Sequence, residues 1–421
     1  MEKQIRLKTV IFYSVVILIT IVAVELYLDS TKLLNFNFLY KRLDKITAAQ
    51  KIAPQRLFIN VWRTVRNEYV DSSMNRQNWM RWRNRYLKNI KTMDDANVAI
   101  NTMLISLNDP YTKFLMTELY TKQQQILDSK VYGVGIIFNN NGNKIVVDNV
   151  LENSPAQKNQ ILPGDTIVSI NGKDVSKGVD NPKILFDNIS DNNAVNIKVK
   201  RDNKIIERTL KKSEIPIKTM KYKILPDKIA IISLATIMGE KAIKDFIQII
   251  KITNNAKTII LDLRDNYGGI LSNAIEMANY MLDEEKILSI ESRGNNKLQI
   301  YASNENIFKK KNIIILVNKN TASAAEILAG TLKDNLGAVI IGENTYGKNS
   351  IQQVIPMPNN TGLIVTSNKY ILPNGEDIHN TGISPDIYMR DRKILKYNMK
   401  QKDVMMEKAI EIARNMMKNE K

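Results

Sequence analysis

Between residues 228 and 385 the sequence alternates short, continuously apolar runs with stretches of mixed polarity, and this limits the possible architectures more than any other feature. Ile229-Ala-Ile-Ile-Ser-Leu234, Thr258-Ile-Ile-Leu-Asp-Leu263, Ile313-Ile-Ile-Leu-Val317 and Ala338-Val-Ile-Ile341 lack the in–out alternation of a strand with one wet face. Such runs are predicted to be strands covered on both sides. Residues 240–250, 272–283 and 324–333 lie between them with patterns suited to helices. Strands alternating with helices give an α/β domain, placed here at residues 216–390.

The remaining chain divides by texture. Residues 31–130 read as a helical region, with a turn at Asp109-Pro110 and no Gly before Gly133. Residues 131–215 switch to short β-type runs punctuated by Gly, Asn and Pro, including Gly133-Val-Gly-Ile-Ile-Phe138 and the turn at Asn171-Gly172. Residues 391–421 suggest a charged amphipathic helix. At the amino end, Lys3, Arg6 and Lys8 precede an apolar run at residues 10–28, interrupted by Ser14, Thr20 and Glu25. This length is near the minimum for a spanning helix, and no A-x-A site follows it. Residues 1–30 are therefore expected to be a signal-anchor, with the body outside the inner membrane in the periplasm or an equivalent space. The alternative is a cleaved secretory signal and a secreted body. The whole is an α/β multidomain chain.

Composition removes many chemistries. The chain has no Cys, which excludes disulfides, thiol nucleophiles and Cys-ligated metals, and its single His is His379. A His-based metal cluster is excluded, and a catalytic base other than His379 must be a carboxylate, a Lys or a terminus. The formal charge is +18, but Lys is spread along the whole length rather than gathered into a tract, so a nucleic-acid partner is not expected. A basic surface would favour anionic headgroups if the protein sits on a membrane.

Three motifs carry the chemistry. In Asp262-Leu-Arg-Asp-Asn-Tyr-Gly-Gly269 a strand ends in a Gly pair before a helix, a place where backbone N–H groups can face an anion. Asn320-Thr-Ala-Ser-Ala-Ala-Glu-Ile327 sets Ser323 where a strand turns into a helix, as at a nucleophile elbow, although a helix cap with Glu326 in the first turn accounts equally for the pattern. Thr345-Tyr-Gly-Lys348 follows the next strand and could return Lys348 to a cleft. A Lys base must be neutral, which requires burial; an ordinary solvated Lys is the alternative.

Together these residues resemble the C-terminal processing peptidases, or tail-specific proteases, Ser–Lys serine peptidases with a PDZ domain. The family pattern S-A-S-A-S-E is matched by Thr321-Ala-Ser-Ala-Ala-Glu326, and G-E-x-T-F-G-K-G-x-x-Q by Gly342-Glu-Asn-Thr-Tyr-Gly-Lys-Asn-Ser-Ile-Gln352. Asn67-Glu-Tyr-Val-Asp71 and Leu107-Asn-Asp-Pro-Tyr-Thr-Lys-Phe-Leu115 resemble the helical region, and Ser367-Asn-Lys-Tyr370, Pro373-Asn-Gly375 and Gly382-Ile-Ser-Pro-Asp386 the closing segment. Tyr267, Ala325 and Asn349 depart from the family's usual Pro, Ser and Gly.

The resemblance implies a crotonase- or ClpP-like core and a serine endopeptidase that cuts exported proteins near their C-termini. It makes Ser323 the nucleophile, Lys348 the general base and Gln352 the residue orienting the Lys. Oxyanion donors would be the backbone N–H groups of Gly268 or Gly269 and of Ala324. A substrate's free apolar C-terminus would be bound at Tyr132, Gly133, Val134 and Gly135 of the PDZ domain. No metal or other cofactor is implied, His379 is not expected to act, and homo-oligomerisation is left open. The alternative is a catalytically inactive PDZ scaffold that kept the fold.

Overall fold

The computed structural model describes residues 50–127, 130–140, 144–179, 194–216, 219–303, 311–390 and 403–419. The anchor expected at residues 1–30 lies outside them. Among the described residues no helix is long and apolar enough to cross a membrane. The described residues form two compact units, one within residues 50–67, 77–117 and 354–365, the other within residues 68–76, 118–353 and 366–419.

The first unit is built on helices α1 (Pro54–Glu68), α2 (Met80–Tyr86) and α3 (Met93–Ile105) and the strand β1 (Lys113–Leu115). In α1, Leu57, Phe58, Val61, Trp62 and Val65 recur at helical spacing and are buried. Trp62 Nε1 donates to Trp79 O at 3.0 Å, and Trp79 Nε1 donates to Trp62 O at 3.1 Å, so both buried indoles are satisfied. Helix α3 begins with a capping box: Asp95 N–H donates to Thr92 Oγ1 and Thr92 N–H to Asp95 Oδ2.

The second unit opens with α4 (Thr117–Leu127) and strand β2 (Lys130–Gly133) and contains two sheets of particular interest. The first comprises β3 (Ile136–Asn140), β4 (Ile145–Val150), the short helix α5 (Pro155–Lys158) beside it, β5 (Thr166–Ile170), β6 (Lys173–Asp174), β7 (Ala194–Arg201) and β8 (Lys204–Lys211). Its order is β3-β4-β5-β7-β8, with β6 on β5, while β2 pairs separately with β9 (Ser213–Pro216). Val195, Ile197 and Val199 alternate inward along β7 and meet Ile145, Val147 and Ile167. Strand β3 is an edge: among the described residues its pairing is with β4 alone.

The second sheet is the expected α/β core. It runs β10 (Met220–Ile224), β11 (Ile229–Leu234), β12 (Thr258–Asp262), β15 (Asn312–Val317), β16 (Val339–Gly342) and β19 (Ile387–Tyr388), parallel from β11 onward. Helices α6 (Gly239–Ile252), α7 (Leu271–Asn279) and α8 (Ala324–Leu336) contribute to the core on one face. On the other, Met405, Ala409 and Ala413 of α9 (Val404–Asn419) pack on Ile229, Ile260, Ile314, Leu316 and Ile341. Burial on both faces is the reason these strands read as unbroken apolar runs. Arg264, just past β12, bridges Asp262 and Asp403 at 2.7 Å each and ties the start of α9 to the sheet.

Two hairpins were not legible in the sequence. Strand β13 (Lys286–Ser292) pairs with β14 (Asn296–Tyr301), and β17 (Ser350–Met357) pairs with β18 (Thr361–Ile371). Their faces are mixed in burial, so neither a continuous nor an alternating apolar signal marks them.

Candidate active site

The three motifs converge because the sheet makes them neighbours. Strands β12, β15 and β16 are adjacent and parallel, so the loops carrying Gly268, Ser323 and Lys348 all leave the carboxyl ends of consecutive strands. In open α/β sheets that end is where ligand sites assemble. Ser323, Lys348 and Gln352 are each half-buried.

Ser323 has φ +56° and ψ −121°, a conformation that a side-chain-bearing residue adopts only when its surroundings impose it. Those surroundings centre on Glu326, whose side chain is fully buried. One carboxylate oxygen accepts from Ser323 N–H at 2.7 Å and Lys348 N–H at 2.9 Å. The other accepts from Gly347 N–H at 2.7 Å and Thr345 Oγ1 at 2.5 Å. A buried carboxylate is tolerated only with such saturation by donors. Here the donors come from both the Ser loop and the Lys loop, so one carboxylate fixes the two backbones relative to each other.

Tyr370 makes a second tie. Its N–H donates to Asn349 O at 2.9 Å and its hydroxyl donates to Ser323 O at 3.3 Å. Burial, then the negative charges of Glu326 and Asp377, push the phenol well above its ordinary range, so it remains a donor. Asn349, also buried, donates Nδ2 to Asp377 Oδ1 at 2.7 Å, fastening the Lys348 loop to the 373–382 turn. His379 is exposed on that turn, its backbone N–H on Asp377 Oδ1 at 2.9 Å.

The loop after β12 is stitched to the Ser loop in the same manner. Asp265 Oδ1 accepts from Asn318 Nδ2 and Asn320 Nδ2, Thr321 Oγ1 donates to Leu263 O, and Ala322 N–H donates to Asn266 O at 3.0 Å. A Cβ on Gly268 would stand 2.6 Å from Ala322 O, 2.9 Å from Ala324 N and 3.0 Å from Ser323 Cβ, so only Gly permits this approach. Gly347 is constrained likewise, with φ +82° and Gly382 N 2.7 Å from where a Cβ would lie.

The loops carrying Gly268, Ser323 and Lys348 are thus joined to one another, and two hydrogen bonds bear on the roles expected of Gly268 and Gln352. Gly268 N–H donates to Asn266 Oδ1 at 2.9 Å, so of the two glycines it is Gly269 whose amide can turn outward. Gln352 Nε2 donates to Ser350 Oγ at 2.9 Å and Thr366 Oγ1 at 3.3 Å, so its amide nitrogen is occupied and its carbonyl oxygen is the atom that could serve the Lys. In the first sheet, Tyr132 and Gly133 pair in β2 with Glu214 and Ser213, while Val134 and Gly135 lead into the edge strand β3. Glu326, Tyr370 and Asn266 were not anticipated as organisers. Only Glu326 carried a local signal, its place three residues after Ser323.

Comparison with known proteins agrees with this geometry. The profile of peptidase family S41 matches residues 228–389, and that of the PDZ domain matches residues 133–211. The carboxyl-terminal-processing protease of Picosynechococcus is 34% identical over 79% of this chain and 82% of its own length. Carboxyl-terminal-processing peptidase 2, chloroplastic, of Arabidopsis thaliana is 33% identical over 78% of this chain and 68% of its own. Among solved structures, a photosystem II D1 C-terminal processing protease superposes with a TM-score of 0.58 at 28% identity, covering 81% of this chain and 94% of that one. The chain therefore belongs to the carboxyl-terminal-processing peptidases, serine peptidases that join a PDZ domain to an S41 catalytic domain.

Proposed function

We propose that Ser323 and Lys348 are the catalytic pair of this peptidase. Lys348, neutral, takes the hydroxyl proton as Ser323 Oγ attacks the scissile carbonyl, and returns it to the leaving amine; water then releases the acyl group by the same route. The oxyanion is received by the N–H groups of Gly269 and Ala324, the latter in the first turn of α8, where amides lack an intrahelical acceptor. Gln352 keeps its carbonyl oxygen for the Lys348 ammonium. The observation that carries this reading is the Glu326 carboxylate, which holds the amides of Ser323 and Lys348 at 2.7 and 2.9 Å. An arrangement fixing the backbones of nucleophile and base together is what proton transfer between their side chains needs.

Substrate is chosen by the PDZ domain. Strand β3 is an open edge with Ile137 exposed, suited to receive an extended C-terminus as an added strand, with its carboxylate at Tyr132–Gly135, where β2 leads into β3. The apolar run at residues 10–28 anchors the body to the inner membrane on its outer side.

The test is cleavage of unfolded proteins with free apolar C-termini by the native enzyme and by Ser323→Ala. Loss of all cleavage with the fold intact is expected; substantial residual activity would overturn the serine assignment. Amidating the substrate's C-terminus should slow cleavage, and equal rates would remove the PDZ reading while leaving the protease.

A further inference from the structure

Basic residues in this chain are mostly Lys, yet six of its sixteen Arg sit on α1 and α2: Arg56, Arg63, Arg66, Arg81, Arg83 and Arg85. We propose that this face of the first unit is a docking surface for the anionic headgroups of a phospholipid bilayer. Arg is the side chain best fitted to phosphate, because its planar guanidinium presents paired donors to two oxygens.

The helix geometry gathers these residues. Arg56, Arg63 and Arg66 recur at i, i+7 and i+10, on the side of α1 away from buried Leu57, Phe58, Val61 and Val65, and all three are exposed. Arg66 of α1 and Arg83 of α2 both lie over the ring of Trp62, at 5.5 and 5.9 Å, so two cations from different helices meet at one aromatic side chain. Arg81 stands 4.8 Å over Trp82 and Arg85 5.5 Å over Tyr86, in rings stacked on each other at 6.1 Å. Their stems are therefore held against a packed aromatic layer. Arg81 bonds only the neutral amide of Gln77, and among the described residues none of the six is ion-paired to a carboxylate. Along the two helices the sole acidic residue is Glu68, at the last position of α1.

Such a field repels a second copy of itself and attracts a polyanion. The choice of lipid rests on the anchor proposed above: about twenty-five residues separate the apolar run from Pro54, a reach of at most roughly 90 Å. The surface is thus held within reach of the headgroups on the outer side of the bilayer, and each Arg near an acidic one adds to attraction that salt weakens.

The protein carries its own reporter, because all three of its Trp (Trp62, Trp79 and Trp82) lie in this unit. The full chain would be reconstituted into liposomes of phosphatidylcholine, with or without phosphatidylglycerol, containing a headgroup-linked quencher of Trp fluorescence. Quenching at least about fivefold stronger in the anionic liposomes, reversed by high salt, is expected, as is its loss in an Arg63→Gln/Arg66→Gln/Arg81→Gln/Arg85→Gln variant that keeps its circular dichroism and peptidase activity. Equal quenching in neutral and anionic liposomes, an unchanged variant, or preferential capture by a single-stranded oligonucleotide over anionic lipid would each overturn the proposal. Flotation with neutral liposomes at high salt reports the anchor alone. If the anchor fails, liposomes added from outside still test the Arg face.

Discussion

Among the described residues two carboxylates, one in each domain, are fully buried, and they are handled in opposite ways. Asp165, in the PDZ domain, faces a cation: Arg201 grips it with Nε and Nη2 at 2.6 and 2.7 Å, and Leu162 N–H adds a third contact. Glu326, in the catalytic domain, is met by three backbone amides and a Thr hydroxyl. A guanidinium supplies charge, so the Asp165 pair secures one fold locally. Amides supply direction, so Glu326 records the positions of two loops at once. The first carboxylate is a matter of stability, the second of registration between nucleophile and base.

The largest expected effect is on the base itself. Lys348→Arg keeps the charge but cannot release its proton, so it should be as inactive as Lys348→Ala, while His379→Ala should cleave at the native rate. An active Lys348→Arg together with an inactive His379→Ala would reassign the base. Next, Glu326→Ala strands its amide donors and frees both loops; kcat should fall by about a hundredfold or more with little change in KM. Reaction of Ser323 with a fluorophosphonate should slow in parallel. Asp165→Ala is the contrasting case. It removes the carboxylate that Arg201 grips, leaving the guanidinium its bond to Gln160 O, and should destabilise the PDZ domain by up to about 3 kcal/mol, read by denaturant unfolding, yet labelling of Ser323 should continue at the native rate. If Asp165→Ala slows labelling as much as Glu326→Ala, the distinction between the two carboxylates fails.

A smaller change is expected at Tyr370. Tyr370→Phe removes one hydrogen bond to Ser323 O, worth about 1 kcal/mol, so kcat should drop no more than roughly tenfold without a new dependence on pH. The smallest effect concerns acid. Burial alone would raise the Asp403 carboxyl, but hydrogen bonds from Arg264 and the Met406 amide outweigh it and leave the group below its ordinary value. A depressed carboxyl contributes stability that is complete above the unfolded value near 3.8 and is lost as pH falls through the folded one. Amide exchange in α9 should therefore speed up only at pH below about 4, and Asp403→Asn should remove that response.

The same contrast explains how much could be read beforehand. The four core strands and the Ser and Lys motifs are local patterns: an unbroken apolar run is itself the record of burial on two faces, and Ser323, Lys348 and Gln352 lie within thirty residues of one another. The organisers are long-range. Glu326 reads as a helix-start residue, and nothing near it in the chain announces Thr345, Gly347 and Lys348 as partners. Tyr370 joins Asn349 to Ser323 across 47 residues of sequence, which only the register of β18 decides. Gly268 shows the limit from the other side: the Gly pair marks the loop, but that Asn266 occupies one of its two amides is known only from three-dimensional packing.

Helix α9 has a consequence for how the molecule comes into being. A nascent chain emerges amino end first, and the apolar face formed by Ile229, Ile260, Ile314, Leu316 and Ile341 is complete before residues 404–419 exist to cover it. Until then the sheet whose strands carry the Ser and Lys loops has one bare side. The catalytic domain is thus finished by a segment made after every strand of its sheet, and a chain interrupted before that segment would be left as a sticky half-layered intermediate, a candidate for degradation rather than an early-acting protease.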